Sequence, residues 1–422
     1  MNIISTQNLN KIKITSIPKS AYIHIPFCRR RCYYCDFPIS VLGNKTNIYT
    51  SSSISEYVEV LCQEILLTPS QESTLETIFF GGGTPSLLPP SDFEKILNSL
   101  KQKFVILPNV EISLEIDPAT FTLEQLKKYY ELGVNRVSLG VQAFQNNLLE
   151  ACGRLHRIQD IFEAIEYIRQ IGINNFSLDL ISGLPYQTLE DWVFSLETAI
   201  KISPNHLSCY DLVLEPVTAF GKQYKPGQNP LPNDEITAQM YRVAQQMLTD
   251  AGYQHYEISN YAKPGYQCFH NRVYWENLPY YGFGMGAASY TNQQRFTRPR
   301  NRKDYYQWVQ QLSESKGLIN CPKLTAIDIL LETLMLRLRL KEGIKLSLII
   351  DDFGKKTAQK ILDILKPFFT KNWLEITRYD HQNDLTDLDN IEVISLSDPE
   401  GFLFSNIILA TLFEKLEEKI EV

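Results

Sequence analysis

Three cysteines stand within eight positions near the start of the chain. Cys28, Cys32 and Cys35 lie in "AYIHIPFCRRRCYYCDF", residues 21–37, with the spacing C-x3-C-x2-C. Thiolates are soft ligands that bind zinc or the iron of an iron–sulfur cluster. The remaining cysteines stand alone, which is typical of reduced thiols and not of a disulfide framework. They are Cys62, Cys152, Cys209, Cys268 and Cys321. The cluster of three therefore predicts a metal site.

Two metal chemistries fit three thiolates. His24 could complete a Cys3His zinc site, but no second cysteine pair follows, and His24 alternates with apolar residues on a predicted strand. A 4Fe–4S cluster held by three thiolates instead leaves one iron open for a small molecule. The spacing favours the cluster, and zinc is kept as an alternative.

Bulk composition limits the class of protein. The chain has 422 residues, 44% of them hydrophobic, and a net charge of −7, so it predicts a globular protein without a nucleic-acid partner. No apolar run reaches the length of about 18 residues that a membrane span needs, which allows at most peripheral membrane contact. The first 20 residues lack the apolar core of a signal peptide. We therefore expect a cytoplasmic location.

Strand-like and helix-like stretches alternate through the first 250 residues. The predicted strands are 21–25, 77–80, 110–116, 135–140, 176–181 and 206–213, and the predicted helices lie near 54–67, 91–102, 122–132, 158–171, 188–201 and 234–251. Six such pairs imply parallel strands with helical crossovers, hence an α/β fold. The unusual residues follow the strands, where barrel active sites form. Residues 18–252 thus predict a partial (βα)6 TIM-like barrel.

The pattern changes after residue 252. Residues 253–323 are rich in aromatic residues and glycine and predict a connecting segment. Residues 324–422 predict a small helical or winged-helix-like accessory domain, with a hairpin near 391–404. This last region carries 12 Lys and Arg against 18 Asp and Glu, which disfavours nucleic acid as its ligand.

Polar residues and glycines gather at the predicted strand ends. The loop "GGGTP", 81–85, would let a ligand lie against the backbone. Glu115, Gln142, Arg154 and Asp179 follow successive strands, and a ring of such side chains without a polar ligand would be costly to bury. Taken singly, each of them is explained as well by a structural role.

Several motifs together resemble the radical S-adenosylmethionine (SAM) superfamily. They are "YIHIPFC", "FFGGGTPSLL", "SLEIDP", "RVSLGVQAF", "CGRLHR" and "DLISGLP". The resemblance implies that SAM chelates the open iron of a 4Fe–4S cluster on Cys28, Cys32 and Cys35, and leaves open whether SAM is cleaved. It also implies SAM contacts from Tyr22, Gly82, Gly83, Thr84, Glu115, Gln142, Arg154 and Asp179.

Within that superfamily, the chain resembles the oxygen-independent coproporphyrinogen III oxidase-like family. The decarboxylating members carry a further cysteine where this chain has Phe37, and a longer arm than the 27 residues that precede Cys28. A second group, the HemW haem chaperones, lacks that cysteine and carries H-N-x-x-Y-W, matched here by "HNRVYW", 270–275. We therefore expect a haem chaperone that passes haem to an acceptor protein, with coproporphyrinogen decarboxylation as the alternative.

Haem binding has candidate residues in this motif. His270 could be an axial ligand of the iron, and Tyr274 and Trp275 could pack on the porphyrin face. A lone histidine is equally explained as a hydrogen-bonded, partly buried side chain. Four arginines that follow could pair with the propionates, which is a hypothesis without a motif behind it. They are Arg295, Arg298, Arg300 and Arg302.

Overall fold

The described residues up to about 250 form the predicted α/β barrel. A computed structural model describes residues 17–43, 52–70, 73–379 and 388–417. Its main sheet contains six parallel strands in chain order, each hydrogen-bonded to the next. These strands are β1 (Ser20–Ile25), β2 (Thr74–Gly82), β3 (Val105–Ile116), β4 (Arg136–Gln142), β5 (Asn175–Ser182) and β6 (His206–Asp211).

Helices follow these strands, and those before β6 cross over from one strand to the next. They are Ser52–Leu67, Pro90–Lys103, Leu123–Glu131, Asn146–Ala151, Ile158–Ile171, Leu189–Ile202, Ala219–Gln223 and Asp234–Asp250. Sequence signals set several of their ends. In "TLED", residues 188–191, Thr188 and Asp191 form a capping box, and Gly172 ends a helix in the left-handed conformation. The similar pattern "SDFE", residues 91–94, forms no such box, because the helix begins earlier, at Pro90, and has no side-chain capping bond.

The main sheet continues past residue 252, where the sequence predicted that the barrel would end. Strand Tyr281–Phe283 pairs in parallel with β1, and Asn260–Ala262 and Gln254–Glu257 extend the sheet beyond β6. The resulting order is linear, so the barrel is partial, as expected. The rest of this region comprises helix Phe269–Trp275, the hairpin Ala288–Thr291 with Gln294–Thr297, and helix Arg302–Glu314.

The accessory domain has its own apolar core. Helices Ala326–Arg337, Leu346–Phe353, Lys355–Phe369, Glu400–Leu403 and Ser405–Glu417 surround a three-stranded sheet of Ile344–Lys345, Ile391–Leu396 and Leu374–Arg378. This arrangement agrees with a winged-helix-like fold. The prediction of a hairpin within 391–404 was wrong, because Ile391–Leu396 pairs with the preceding strand Leu374–Arg378 and is followed by a helix.

Polar contacts join this domain to the preceding residues. His255 Nδ1 lies 2.9 Å from Asp398 Oδ1, and Arg242 Nε donates to Glu400 Oε1 at 2.6 Å. None of the helices in the described parts of the chain combines the length and apolar character needed to cross a membrane.

Candidate functional site

One cavity of about 640 Å³ lies at the carboxyl ends of the barrel strands. Ten of the predicted site residues line it: Cys28, Cys32, Cys35, Gly82, Gly83, Thr84, Glu115, Gln142, Arg154 and Asp179. The six-strand topology explains the convergence, because parallel strands deliver their carboxyl ends to one face of the barrel. Tyr22 and His270 are the two predicted residues outside the lining of this cavity.

The cysteine loop is held at both of its ends. Phe27–Cys28 pairs with Ser40–Val41, so that the loop between them projects from the end of β1. Thr84 Oγ1 donates to the Cys28 sulfur at 3.6 Å, and Arg154 Nη1 donates to the Cys32 sulfur at the same distance. Burial raises the pKa of the Cys28 thiol to about 12. A bound cationic metal group would offset this cost and favour the thiolate.

The geometry disfavours the zinc alternative. Within the described residues, no three His, Cys, Asp or Glu side chains converge closely enough to hold a single metal ion. His24 is buried, with Nε2 2.9 Å from the Pro38 carbonyl and Nδ1 3.1 Å from the Tyr22 hydroxyl. Both of its ring nitrogens are thus engaged. Cysteine thiolates are the usual ligands of a 4Fe–4S cluster, so the chemistry of the three cysteines suits that group.

The glycine loop brings backbone to the cavity wall. Gly82 has φ +115°, and a Cβ there would lie 2.4 Å from the His24 ring. A Cβ on Gly83 would lie 2.8 Å from the Phe27 carbonyl oxygen. A side chain at either position would therefore displace the cysteine-bearing strand. The Gly82 amide donates to Glu115 Oε2 at 2.9 Å, which ties this loop to β3.

Two carboxylates stand at the floor of the cavity. Burial raises the pKa of Glu115 to about 7, and the charges of Asp179 and Asp117 act in the same direction. Burial also raises the pKa of Asp179. Hydrogen bonds from Ser208 and Ser138 lower this pKa but do not outweigh the effect of burial. The Ser138 hydroxyl lies 2.9 Å from both Asp179 oxygens. Both carboxylates can accept hydrogen bonds from the hydroxyl or ammonium groups of a polar ligand.

Gln142 reaches the cavity from an irregular strand end, whereas Arg154, predicted at a strand end, reaches it from the loop after helix Asn146–Ala151. The pairing of β4 with β5 shifts between Gly140 and Gln142, and Gln142 has φ +67°. Such a bulge re-aims side chains, and it is common next to functional sites. Arg154 is buried and donates to the Gly140 carbonyl at 3.0 Å and to Asp117.

Several lining residues were missed by sequence reasoning. Asp117 pairs with Arg154, although only Glu115 was selected from "SLEIDP". Its position two residues after Glu115 is a signal, because alternate residues of an extended chain share a side. Asp211, which accepts a hydrogen bond from Ser182 at 2.7 Å, lay within the predicted strand 206–213 and is the last residue of the observed strand. Arg29 and Phe37 also line the cavity, and no pattern in the sequence selected them as ligand contacts.

His270 lies inside the barrel, away from the cavity lining. It is 1% exposed, and its ring nitrogens lie 2.8 Å from the Thr77 and Tyr274 hydroxyls. Its ring stacks on Phe79, and burial lowers its pKa to about 3. Tyr22 packs nearby, with ring centroids 6.4 Å apart. His270 could reach an iron only by giving up one of these hydrogen bonds, so its role as a haem ligand stays a prediction.

The four arginines offered as propionate partners occupy different environments. Arg298 is buried against Glu64, with Nε 2.7 Å from Oε1, and Arg295 pairs with Glu332 at 2.9 Å. Arg302 begins a helix outside the cavity. Arg300 alone of the four lines the cluster cavity, where it pairs with Asp36 at 2.8 Å.

Comparisons with known proteins agree with this geometry. Residues 22–199 match the radical SAM superfamily, and residues 324–378 match the HemN C-terminal domain. The solved structure of coproporphyrinogen III oxidase (HemN) from Escherichia coli has a TM-score of 0.78 at 23% identity, over 97% of this chain and 92% of that chain. At that identity the likeness establishes the fold alone.

Curated relatives are more similar in sequence. The heme chaperone HemW of Synechocystis sp. is 49% identical over 405 residues, which cover 95% of this chain and 98% of the relative. The heme chaperone HemW of Bacillus subtilis is 36% identical over 84% of this chain and 92% of the relative. The chain therefore belongs to the HemW family, within the radical SAM superfamily.

Proposed function

We propose that this protein is a haem chaperone that binds haem and passes it to an acceptor protein. The observation that carries the proposal is the convergence of three thiols, a glycine loop and two carboxylates on one cavity, in a chain whose relatives are named heme chaperones. Radical SAM membership supports a 4Fe–4S cluster and SAM as the cofactors.

Within this proposal, Cys28, Cys32 and Cys35 would hold the cluster, which would supply one-electron reducing chemistry to a SAM molecule bound beside it. The chain's own part is to position the ligand: the Gly82–Gly83 backbone borders it, and Glu115 and Asp179 accept its hydrogen bonds. Gln142 and Arg154 complete the wall, and Arg154 steadies the Cys32 sulfur. Tyr22 acts indirectly, because it packs behind the glycine loop and beside Glu115.

The competing activity is oxidative decarboxylation of coproporphyrinogen. The decarboxylating members carry a further cysteine at the position that Phe37 occupies here. The Phe37 side chain is exposed at the cavity. Reduced thiols and an oxygen-sensitive cluster both suit a reducing compartment, so the proposal places the protein in the cytoplasm.

An anaerobic experiment separates the two functions. Protein reconstituted with iron and sulfide is given coproporphyrinogen, SAM and reductant, and separately ferric haem. The proposal expects about four iron atoms per chain, a stable Soret band near one haem per chain, and no decarboxylated porphyrin. Turnover of coproporphyrinogen with no retained haem would replace the proposal with the enzyme.

A further inference from the structure

A column of polar side chains lies in the barrel interior behind Asp179. The interior of such a barrel is usually filled by branched apolar residues. Here Ser177 stands two residues before Asp179 on β5, and its neighbour on β6 is His206, both of them 0% exposed. Tyr256, from strand Gln254–Glu257, is 2% exposed. Buried polar groups are costly unless they bond one another, so these three side chains need partners in the interior.

Four side chains form one continuous hydrogen-bonded chain. The Ser177 hydroxyl lies 3.3 Å from Asp179 Oδ1 and 2.8 Å from His206 Nδ1. His206 Nε2 lies 2.8 Å from the Tyr256 hydroxyl. Burial and the charge of Arg136 lower the pKa of His206 well below its ordinary value, so the ring is neutral. A neutral imidazole has one N–H donor and one acceptor nitrogen.

These contacts fix the direction of each bond in the chain. Ser177 has a single hydroxyl proton, and an ionised Asp179 carboxylate can only accept. Ser177 therefore donates to Asp179 and accepts from the His206 Nδ1–H group. His206 Nε2 then carries no proton and accepts from the Tyr256 hydroxyl. The imidazole thus keeps the serine proton directed at the carboxylate.

Asp179 is held from three adjacent strands. Ser208 on β6, Ser138 on β4 and Ser177 on β5 all donate hydrogen bonds to its carboxylate. Asp179 itself lines the cluster cavity, whereas Ser177 and His206 lie behind it and outside the cavity lining. A carboxylate fixed in this way presents its remaining lone pairs to a ligand in one direction, because its supporting residues lock the rotamer.

We propose that Ser177 and His206 are positioning residues for SAM, which hold the Asp179 carboxylate in the orientation that accepts hydrogen bonds from that ligand. This inference rests on the proposed function, in which Asp179 is a SAM contact. The two residues act through Asp179 and touch no ligand themselves. A column that served packing alone would stabilise the barrel without any effect on SAM affinity, so the two roles are separable.

Two amide replacements of His206 separate positioning from packing. In His206→Asn the side-chain amide takes the place of Nδ1 and can donate to Ser177, whereas in His206→Gln it takes the place of Nε2, on the side of Tyr256. The measured quantity is the Kd for labelled SAM, obtained by anaerobic equilibrium dialysis of cluster-loaded protein without reductant. We expect His206→Gln to raise this Kd about tenfold and His206→Asn to change it less than about twofold. Equal Kd values for the two variants would overturn the inference.

Another buried histidine supplies the control. His255 Nδ1 lies 2.9 Å from Asp398 Oδ1, outside the lining of the cluster cavity. His255→Gln should therefore change the Kd for SAM less than about twofold, even where it lowers the thermal midpoint. Iron and sulfide content and circular dichroism confirm that each variant is folded and carries its cluster. A loss of SAM affinity in His255→Gln as large as that in His206→Gln would refute a specific role for the column.

A double-variant cycle tests whether the column acts through Asp179. Ser177→Ala removes only a hydroxyl, so it also decides the matter if the His206 variants do not fold. It should raise the Kd for SAM about fivefold in wild type and less than about twofold in an Asp179→Ala background, because the carboxylate that it positions is then gone. An unchanged Kd in wild type, or an equal effect in both backgrounds, would contradict the inference. If cluster-loaded wild type binds no SAM, the proposed function loses that cofactor, which is a different outcome from a column without effect.

Discussion

Glu64 provides the sharpest test of how the barrel is held together. Its carboxylate is fully buried and accepts from Arg298 Nε at 2.7 Å, from the Tyr305 hydroxyl at 2.6 Å and from the Gly284 amide at 2.9 Å. These contacts join helix Ser52–Leu67 to three points in the segment that follows helix Phe269–Trp275. Glu64→Ala would leave the Arg298 guanidinium buried and without its counter-charge.

The expected cost follows from that geometry. Removing one partner of a buried ion pair destabilises a protein by about 3–5 kcal/mol. At about 2–4 °C per kcal/mol for a large domain, the thermal midpoint of the barrel should fall by roughly 6–20 °C. Arg298→Met should cost a similar amount, and the double variant should cost less than the sum, because neither charge is then stranded.

A matched control lies on the same helix. Glu59 pairs with Lys95 at 3.1 Å, but its side chain is 69% exposed, and exposed pairs contribute little. Thermal unfolding followed by circular dichroism compares Glu59→Ala with Glu64→Ala. Equal midpoints for the two variants would show that the buried pair does not stabilise the barrel and would refute the reasoning.

Three further predictions concern the site. Cys28→Ser should abolish cluster assembly while Cys321→Ser retains it, as measured by iron and sulfide analysis; full iron content in Cys28→Ser would contradict the ligand assignment. Because the folded pKa of Glu115 is raised from 4.5 to about 7, its contribution to stability is present below pH 4.5 and is lost as the pH rises through 7. In ligand-free protein, wild type should therefore lose up to about 3 kcal/mol of unfolding free energy between pH 5 and pH 8, and Glu115→Gln should retain it. Thermal midpoints that change with pH in the same way in both proteins would contradict this. His270→Ala should lower the thermal midpoint, because it removes a buried ring and two hydrogen bonds; an unchanged midpoint would contradict that reasoning.

The sequence predicted the features that depend on local pattern. The six strands and their crossover helices have strong apolar periodicity, so their positions follow from neighbouring residues. The convergence of Glu115, Gln142 and Asp179 follows in turn, because parallel strands bring their ends together, whereas Arg154 comes from the loop after helix Asn146–Ala151. The capping box at Thr188 is likewise a contact within four residues.

Contacts between distant segments could not be predicted in this way. Strand Tyr281–Phe283 has three residues, too few for a periodic signal, and its partner β1 lies far away in the sequence. The pairing of Arg298 with Glu64 depends on that packing, so the arginine was offered as a haem partner. His270 was selected for its imidazole, whereas its burial against Phe79 and Thr77 follows from the placement of a whole helix.

The pairing of Tyr281–Phe283 with β1 has a consequence for how the protein is made. The strand that leads into Cys28 leaves the ribosome early, but its neighbour on one side is translated about 250 residues later. At about 5–20 residues per second, that interval is roughly 10–50 s. During it β1 has a free edge, and the turn at Gly284 and Gly286, which packs against the backbone of His24 and against Pro38, is missing. The wall behind the cysteine loop is therefore completed late in synthesis, and iron delivered to a nascent chain would meet thiols that the fold does not yet enclose.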